Sequence, residues 1–298
     1  MLSFDASLSG WGSFPHPHEP LLSDMHTTPI PIPGLRQRIS DAGPLLSGYC
    51  MMPGAFSAEV FSSQGFDCIA IDMQHGLIGF EDTVTLLQAI SQFDAFPLVR
   101  VPTLEPGIIM RVLDAGALGI ICPMIETAEQ ATQLVTCSHY PPLGNRSYGP
   151  LRAALRYGPQ YVAQSRDIIS LLAMVETAEG VRNVEEIAAV EGLSGIYIGT
   201  VDLALSLGVP DAKAFENKIL DEAIQTILDA ALKHGLIVGL MAQDTQSAVK
   251  FAEMGFNFLT VATDVSVLRV NTAATVNRFR GALSGQATEA PVTARVGY

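Results

Sequence analysis

Five polar residues follow apolar runs in this sequence, and their types and spacing define the chemistry it can offer. Ile71-Asp72-Met73-Gln74-His75 closes one run, Leu98-Val99-Arg100 a second, Met174-Val175-Glu176 a third and Ile198-Gly199-Thr200-Val201-Asp202 a fourth. Glu176 and Asp202 offer two carboxylates. Hard divalent cations such as Mg²⁺ or Mn²⁺ take one or two such groups alongside water and substrate oxygens. Either residue could instead cap the helix that follows it. The planar guanidinium of Arg100 suits a substrate carboxylate, or equally a structural ion pair. His75 has the side chain that ordinarily titrates nearest neutrality, as a general base requires. Asp72, three residues earlier, could orient it or cap a turn. The only lysines, Lys213, Lys218, Lys233 and Lys250, all fall in helical stretches. A Schiff base needs a desolvated lysine in the pocket, so carbonyl chemistry here would be polarised by a metal.

The elements that must position these groups alternate. Short, almost continuous apolar runs recur at Leu45–Met52, Cys68–Met73, Pro97–Val101, Gly119–Met124, Leu171–Glu176, Gly195–Asp202, Ile237–Ala242 and Phe258–Asp264. Continuous apolarity suits strands buried on both faces of a parallel sheet. Between them lie stretches with helical spacing, among them Asp82–Ile90, Thr127–Val135, Ala178–Val190, Phe215–His234 and Thr245–Met254. Eight strands alternating with helices predict a (β/α)₈ TIM barrel, whose chemistry sits at the C-terminal strand ends. The segment from Tyr140 to Ala153 is long for a βα loop. It begins a stretch carrying Arg146, Arg152 and Arg156, which could meet a distal carboxylate or phosphate, or another subunit, or simply solvent.

The chain of 298 residues divides into a mobile N-terminal arm over 1–34, a barrel over 35–282 and a flexible tail over 283–298. His16, His18 and His26 read as solvated residues of that arm. With 17 Lys and Arg against 30 Asp and Glu, the net charge is −13. Such a surface repels phosphate backbones and anionic lipids, which argues against nucleic-acid and membrane-surface roles. Cys50, Cys68, Cys122 and Cys137 have no zinc-ligand or redox-motif spacing. Together with the absence of a basic leader or a long apolar run, they predict a cytoplasmic protein.

Several motifs, in order, resemble the HpcH/HpaI aldolases, the class II metal-dependent pyruvate aldolases. They begin with Gly65-Phe66-Asp67-Cys68-Ile69-Ala70-Ile71-Asp72-Met73-Gln74-His75 and continue through Pro97-Leu98-Val99-Arg100 and Leu113-Asp114-Ala115-Gly116-Ala117. Pro123-Met124, Tyr140-Pro141-Pro142-Leu143-Gly144-Asn145-Arg146, Val175-Glu176-Thr177 and Ile198-Gly199-Thr200-Val201-Asp202-Leu203 follow. The resemblance, to enzymes of the 2,4-dihydroxyhept-2-ene-1,7-dioate aldolase kind, implies a barrel of the phosphoenolpyruvate/pyruvate-binding type. It implies cleavage of a 4-hydroxy-2-oxo acid to pyruvate and an aldehyde through a metal-stabilised pyruvate enolate. Glu176 and Asp202 would bind the metal, Mg²⁺ or Mn²⁺, with Co²⁺ also admissible. Arg100 would bind the pyruvate carboxylate and steady the enolate, and His75 would be the acid/base. Asp72 and Asp114 would hold His75 and a water network, and Thr200 and Val201 would line the pyruvate pocket. A homo-oligomer, hexamer or trimer, is implied. Gln74, Met174 and Thr200 depart from the usual motif residues without removing one of these groups. Two alternatives stand beside this reading: an oxaloacetate decarboxylase resembling macrophomate synthase, and a non-catalytic barrel.

Overall fold

A computed structural model describes residues 33–284, so the expectations for the arm, its three histidines and most of the tail lie outside the described residues. Eight parallel strands close into a barrel in sequence order: β1 (Leu45–Cys50), β2 (Cys68–Asp72), β3 (Phe96–Arg100), β4 (Gly119–Cys122), β5 (Ser170–Val175), β6 (Gly195–Ile198), β7 (Ile237–Met241) and β8 (Phe258–Thr263). Each expected strand is present. The ladder takes the apolar runs because β2 to β6 are buried along their whole length, between the barrel interior and the surrounding helices. Tyr49 and Tyr197 stack across the interior with centroids 6.3 Å apart, and Tyr197 donates to Thr260 Oγ1 at 2.9 Å. These rings fill the barrel beneath its C-terminal mouth. The four cysteines are buried thiols, and burial pushes Cys122 up to about 12.

All eight expected strands run past the observed C-terminal ends, by one to four residues. The sixth stops at Ile198, and Asp202 stands in the first turn of the helix Thr200–Ser206 rather than at a strand end. Apolarity persists into these turns, where Met124 and Val201 are exposed, so hydropathy does not mark where pairing ends. The stretch expected as one helix over Ala178–Val190 is two short helices, Ala178–Arg182 and Val184–Ala188, broken at Asn183. The helix Pro106–Asp114 is started by Glu105, whose carboxylate accepts from the Gly107 and Ile108 N–H groups, with Pro at the first position.

The Tyr140–Ala153 segment corrects an expectation. It follows the helix Ala128–Ser138 and precedes β5, so it is an αβ connection at the N-terminal end of the barrel, away from the strand ends that bear chemistry. Arg152 and, just beyond it, Arg156 serve helix termini. Arg152 donates to the Ala115 and Leu87 carbonyls at 2.6 and 3.3 Å, and Arg156 to the Ser91 carbonyl at 3.0 Å. Cations here satisfy the last carbonyls of the helices Pro106–Asp114 and Phe80–Ile90. Among the described residues, no helix is long and apolar enough to cross a membrane.

Candidate active site

β2 and β3 pair in register with Asp72 opposite Arg100. Both side chains are buried and form a two-pronged ion pair: Arg100 Nε donates to Asp72 Oδ1 at 2.8 Å and Nη2 to Oδ2 at 2.6 Å. A bidentate pair fixes the plane of the guanidinium as well as its place. The Tyr49 ring supports it, 5.0 Å from ring centroid to guanidinium carbon. The structural ion pair that the sequence left open for Arg100 is therefore formed, with Asp72.

The same Asp72 holds the turn that carries His75. Its Oδ1 accepts from the Gln74 and His75 backbone N–H groups at 3.1 and 3.3 Å. Gly76 follows, and a Cβ there would collide with the Asp72 carbonyl and press on the backbone of Met51, so the turn favours glycine at that position. His75 itself is exposed at the mouth.

Glu176 lies just beyond β5 and is 2% exposed. It does not cap the next helix, because Thr177 does so by accepting from the Gly180 N–H at 3.0 Å. Instead Glu176 Oε1 accepts from the Met124 N–H at 2.8 Å, across from the end of β4. Met124 adopts a left-handed backbone with φ 56°, uncommon for a side chain of that size. Gly199, after β6, leaves room for the carboxylate: a Cβ there would run into Oε2. Burial pushes the Glu176 carboxyl up to about 7; the Met124 N–H lowers it, the Asp202 charge raises it and Arg100 lowers it. Glu176 thus feels both Asp202 and Arg100 in one electrostatic neighbourhood.

This donor set fits a hard divalent cation. A buried carboxylate beside a second carboxylate is held uncomfortably without a positive charge between them. The described residues contain no group of three or more His, Cys, Asp or Glu side chains able to hold a metal. A cation here would rest on Glu176 and Asp202 and keep positions for water and substrate, as Mg²⁺-type sites do.

Asp114 is not brought to this cluster. It ends the helix Pro106–Asp114, which runs back toward the N-terminal end of the barrel, and there it pairs with buried Arg146 at 2.7 Å. The expectation that it holds His75 is not met within one chain. Thr200 and Val201 precede Asp202 in the first turn of their helix, with Val201 well exposed. Sequence reasoning missed Met124 as a backbone donor, Gly199 as the space for Glu176, and Tyr49 beneath Arg100. Only Gly199 left a signal, as a glycine directly after an apolar strand.

Arg100→Lys keeps charge but cannot grip Asp72 with two parallel bonds. We expect kcat/KM to fall at least ~10-fold, about 1.4 kcal/mol. Unchanged steady-state kinetics in that variant would show that the fork serves no substrate.

A parallel barrel with a buried guanidinium, paired carboxylates and a histidine turn at its C-terminal mouth has the composition of an enolate-forming carbon–carbon lyase. The HpcH/HpaI aldolase/citrate lyase family profile matches residues 51–270, and the chain belongs to that family. It is 40% identical over 230 residues to a hydroxypyruvate/pyruvate aldolase of Rhizorhabdus wittichii, covering 77% of this chain and 91% of the relative. It is 37% identical over 235 residues to a 5-keto-4-deoxy-D-glucarate aldolase of Klebsiella pneumoniae subsp. pneumoniae, covering 78% and 91%. The crystal structure of a family protein from Burkholderia cenocepacia superposes with a TM-score of 0.77 at 32% identity, covering 83% of this chain and 98% of the other. The chain is accordingly an aldolase acting on small molecules, in a family that uses a divalent metal ion.

Proposed function

We propose that the protein cleaves 4-hydroxy-2-oxo acids to pyruvate and an aldehyde, and runs the reverse addition of pyruvate or hydroxypyruvate to aldehydes. The observation that carries this reading is the convergence of Arg100, Glu176 and Asp202 at one mouth. Arg100 binds the carboxylate of the 2-oxo acid, held in plane by Asp72. Glu176 and Asp202 hold Mg²⁺ or Mn²⁺, with Co²⁺ as a substitute; the cation supplies Lewis acidity toward the 2-oxo acid. His75 takes the proton from the 4-hydroxyl as the C–C bond breaks, and the electron pair of that bond is left on pyruvate as the enolate. Arg100 stabilises the charge that develops there. Thr200 and Val201 line the pyruvate side of the pocket. The name of the Rhizorhabdus wittichii relative, a hydroxypyruvate/pyruvate aldolase, supports pyruvate or hydroxypyruvate as the nucleophile half.

The test offers the holoenzyme a panel of aldehydes with pyruvate or hydroxypyruvate and identifies adducts by mass spectrometry. Pyruvate release from a 4-hydroxy-2-oxo acid checks the reverse direction. Condensation with no aldehyde and no pyruvate release would refute the reading.

The protein is also proposed to work as a homo-oligomer, a hexamer or trimer. Leu151 and Leu155 stand 88% and 86% exposed, and Phe279 and Leu283 on the C-terminal helix Asp264–Ser284 are exposed too. Light scattering should report a multimer at micromolar concentration; a monomeric mass would contradict it.

A further inference from the structure

The pairing of β1 with β8 ends at Tyr49 opposite Thr263, because the chain after Thr263 turns at once into the helix Asp264–Ser284. The next N–H groups of the first strand segment therefore have no strand to donate to on that side. The Asp264 carboxylate takes the place of the missing strand. It is 7% exposed, and Oδ1 accepts from the Met51 N–H at 2.9 Å and Oδ2 from the Met52 N–H at 3.2 Å. Oδ1 also accepts from the Val265 N–H at 2.7 Å, which ties the carboxylate to the start of its own helix.

Met51 is in turn the seat of the histidine turn. Its carbonyl accepts from the Leu77 N–H at 3.0 Å, and Gly76 packs tightly against its backbone, where a Cβ would come within 3.1 Å of the Met51 Cα and carbonyl oxygen. The turn from Gln74 to Leu77 is thus gripped at two ends. Asp72 holds the N–H groups at its start; Asp264, acting through Met51, holds the shelf beneath its end.

We propose that Asp264 is a positioning residue for His75, fixing the proton-transfer geometry through Met51 and Leu77 without touching substrate. The inference rests on the reading of His75 as the base. A carboxylate suits the task because it has two oxygens and no proton to donate, so it can accept from two adjacent N–H groups. Asparagine would keep one acceptor and turn an NH₂ toward the second donor. General-base catalysis is sensitive to the position of the base, whereas loss of CO₂ from oxaloacetate deprotonates no hydroxyl.

The test compares Asp264→Asn and Leu77→Pro, the second removing the N–H that Met51 accepts and also fixing the backbone at that position, on a 4-hydroxy-2-oxo acid and on oxaloacetate. We expect kcat for aldol cleavage to fall about tenfold with KM little changed, while decarboxylation stays within about threefold. Placing Asp264→Asn on a His75→Ala background should cost aldol cleavage nothing further, because the group it positions is gone. Equal losses on both substrates, or a full additional loss on the His75→Ala background, would overturn the proposal. If Asp264→Asn does not fold, an unsplit loss in Leu77→Pro overturns it as well. Should His75→Ala itself spare aldol cleavage, the base assignment fails; should His75→Ala impair cleavage and Asp264→Asn leave it intact, only this inference fails.

Discussion

Glu176→Ala is expected to abolish both aldol cleavage and oxaloacetate decarboxylation. On the proposed reading both reactions pass through the same enolate, and Glu176 is one of the two carboxylates proposed to hold the cation that the family uses. Its environment makes the effect testable by pH. Burial first, and the Asp202 charge with it, pushes the carboxyl from its ordinary 4.5 up to about 7. In metal-free protein the folded state therefore keeps a proton that the unfolded chain gives up. That contribution to stability is complete below 4.5 and is lost as pH rises through about 7. A divalent cation competes with the same proton, so its binding strengthens across that interval. The rise in melting temperature on adding Mn²⁺ to chelated protein should be larger at pH 8 than at pH 6. In Glu176→Gln, which cannot titrate, the rise should be small at both. A Mn²⁺ shift that survives in Glu176→Gln would remove Glu176 from the metal site.

His75→Ala should separate the two reactions. Retro-aldol cleavage needs the 4-hydroxyl proton to leave as the bond breaks, and a positioned base contributes ~10²–10⁴-fold. We expect aldol cleavage to fall ~10²-fold or more. Decarboxylation should hold within roughly tenfold, a barrier change below ~1.4 kcal/mol. Paired pyruvate-release assays on the two substrates read the split. Equal losses on both would show that His75 organises the cation site instead. Activity of the wild-type protein on oxaloacetate alone would favour the decarboxylase reading.

The barrel was legible because burial on both faces forces continuous apolar runs, and eight of them alternate with amphipathic stretches. The polar residues that interrupt or follow those runs marked the mouth, which is why Asp72, Arg100 and Glu176 could be named from the chain alone. What the sequence concealed is direction and partner. Nothing in the spacing of Arg146, Arg152 and Arg156 says that they lie at the far end of the barrel, the first paired with Asp114 and the other two on helix-end carbonyls, because a long loop after a strand and a long loop after a helix look alike in composition. Asp114 sits in a convincing motif, yet the return of its helix carries it away from the mouth. Asp264 was in view as the last residue of an apolar run, but its work is to accept two N–H groups from a segment more than two hundred residues away, which no local pattern encodes.

The central claim is that Arg100, Glu176 and Asp202 assemble a metal-dependent site for the pyruvate enolate, with no lysine adduct. The direct measurement is exchange of the pyruvate methyl protons in D₂O, followed by proton NMR with no aldehyde present. The holoenzyme should exchange them, chelation should stop exchange, and Mg²⁺ or Mn²⁺ should restore it. Borohydride added with pyruvate should leave the protein mass unchanged. Exchange that persists after chelation, with a pyruvate-derived adduct trapped on a lysine, would contradict the account.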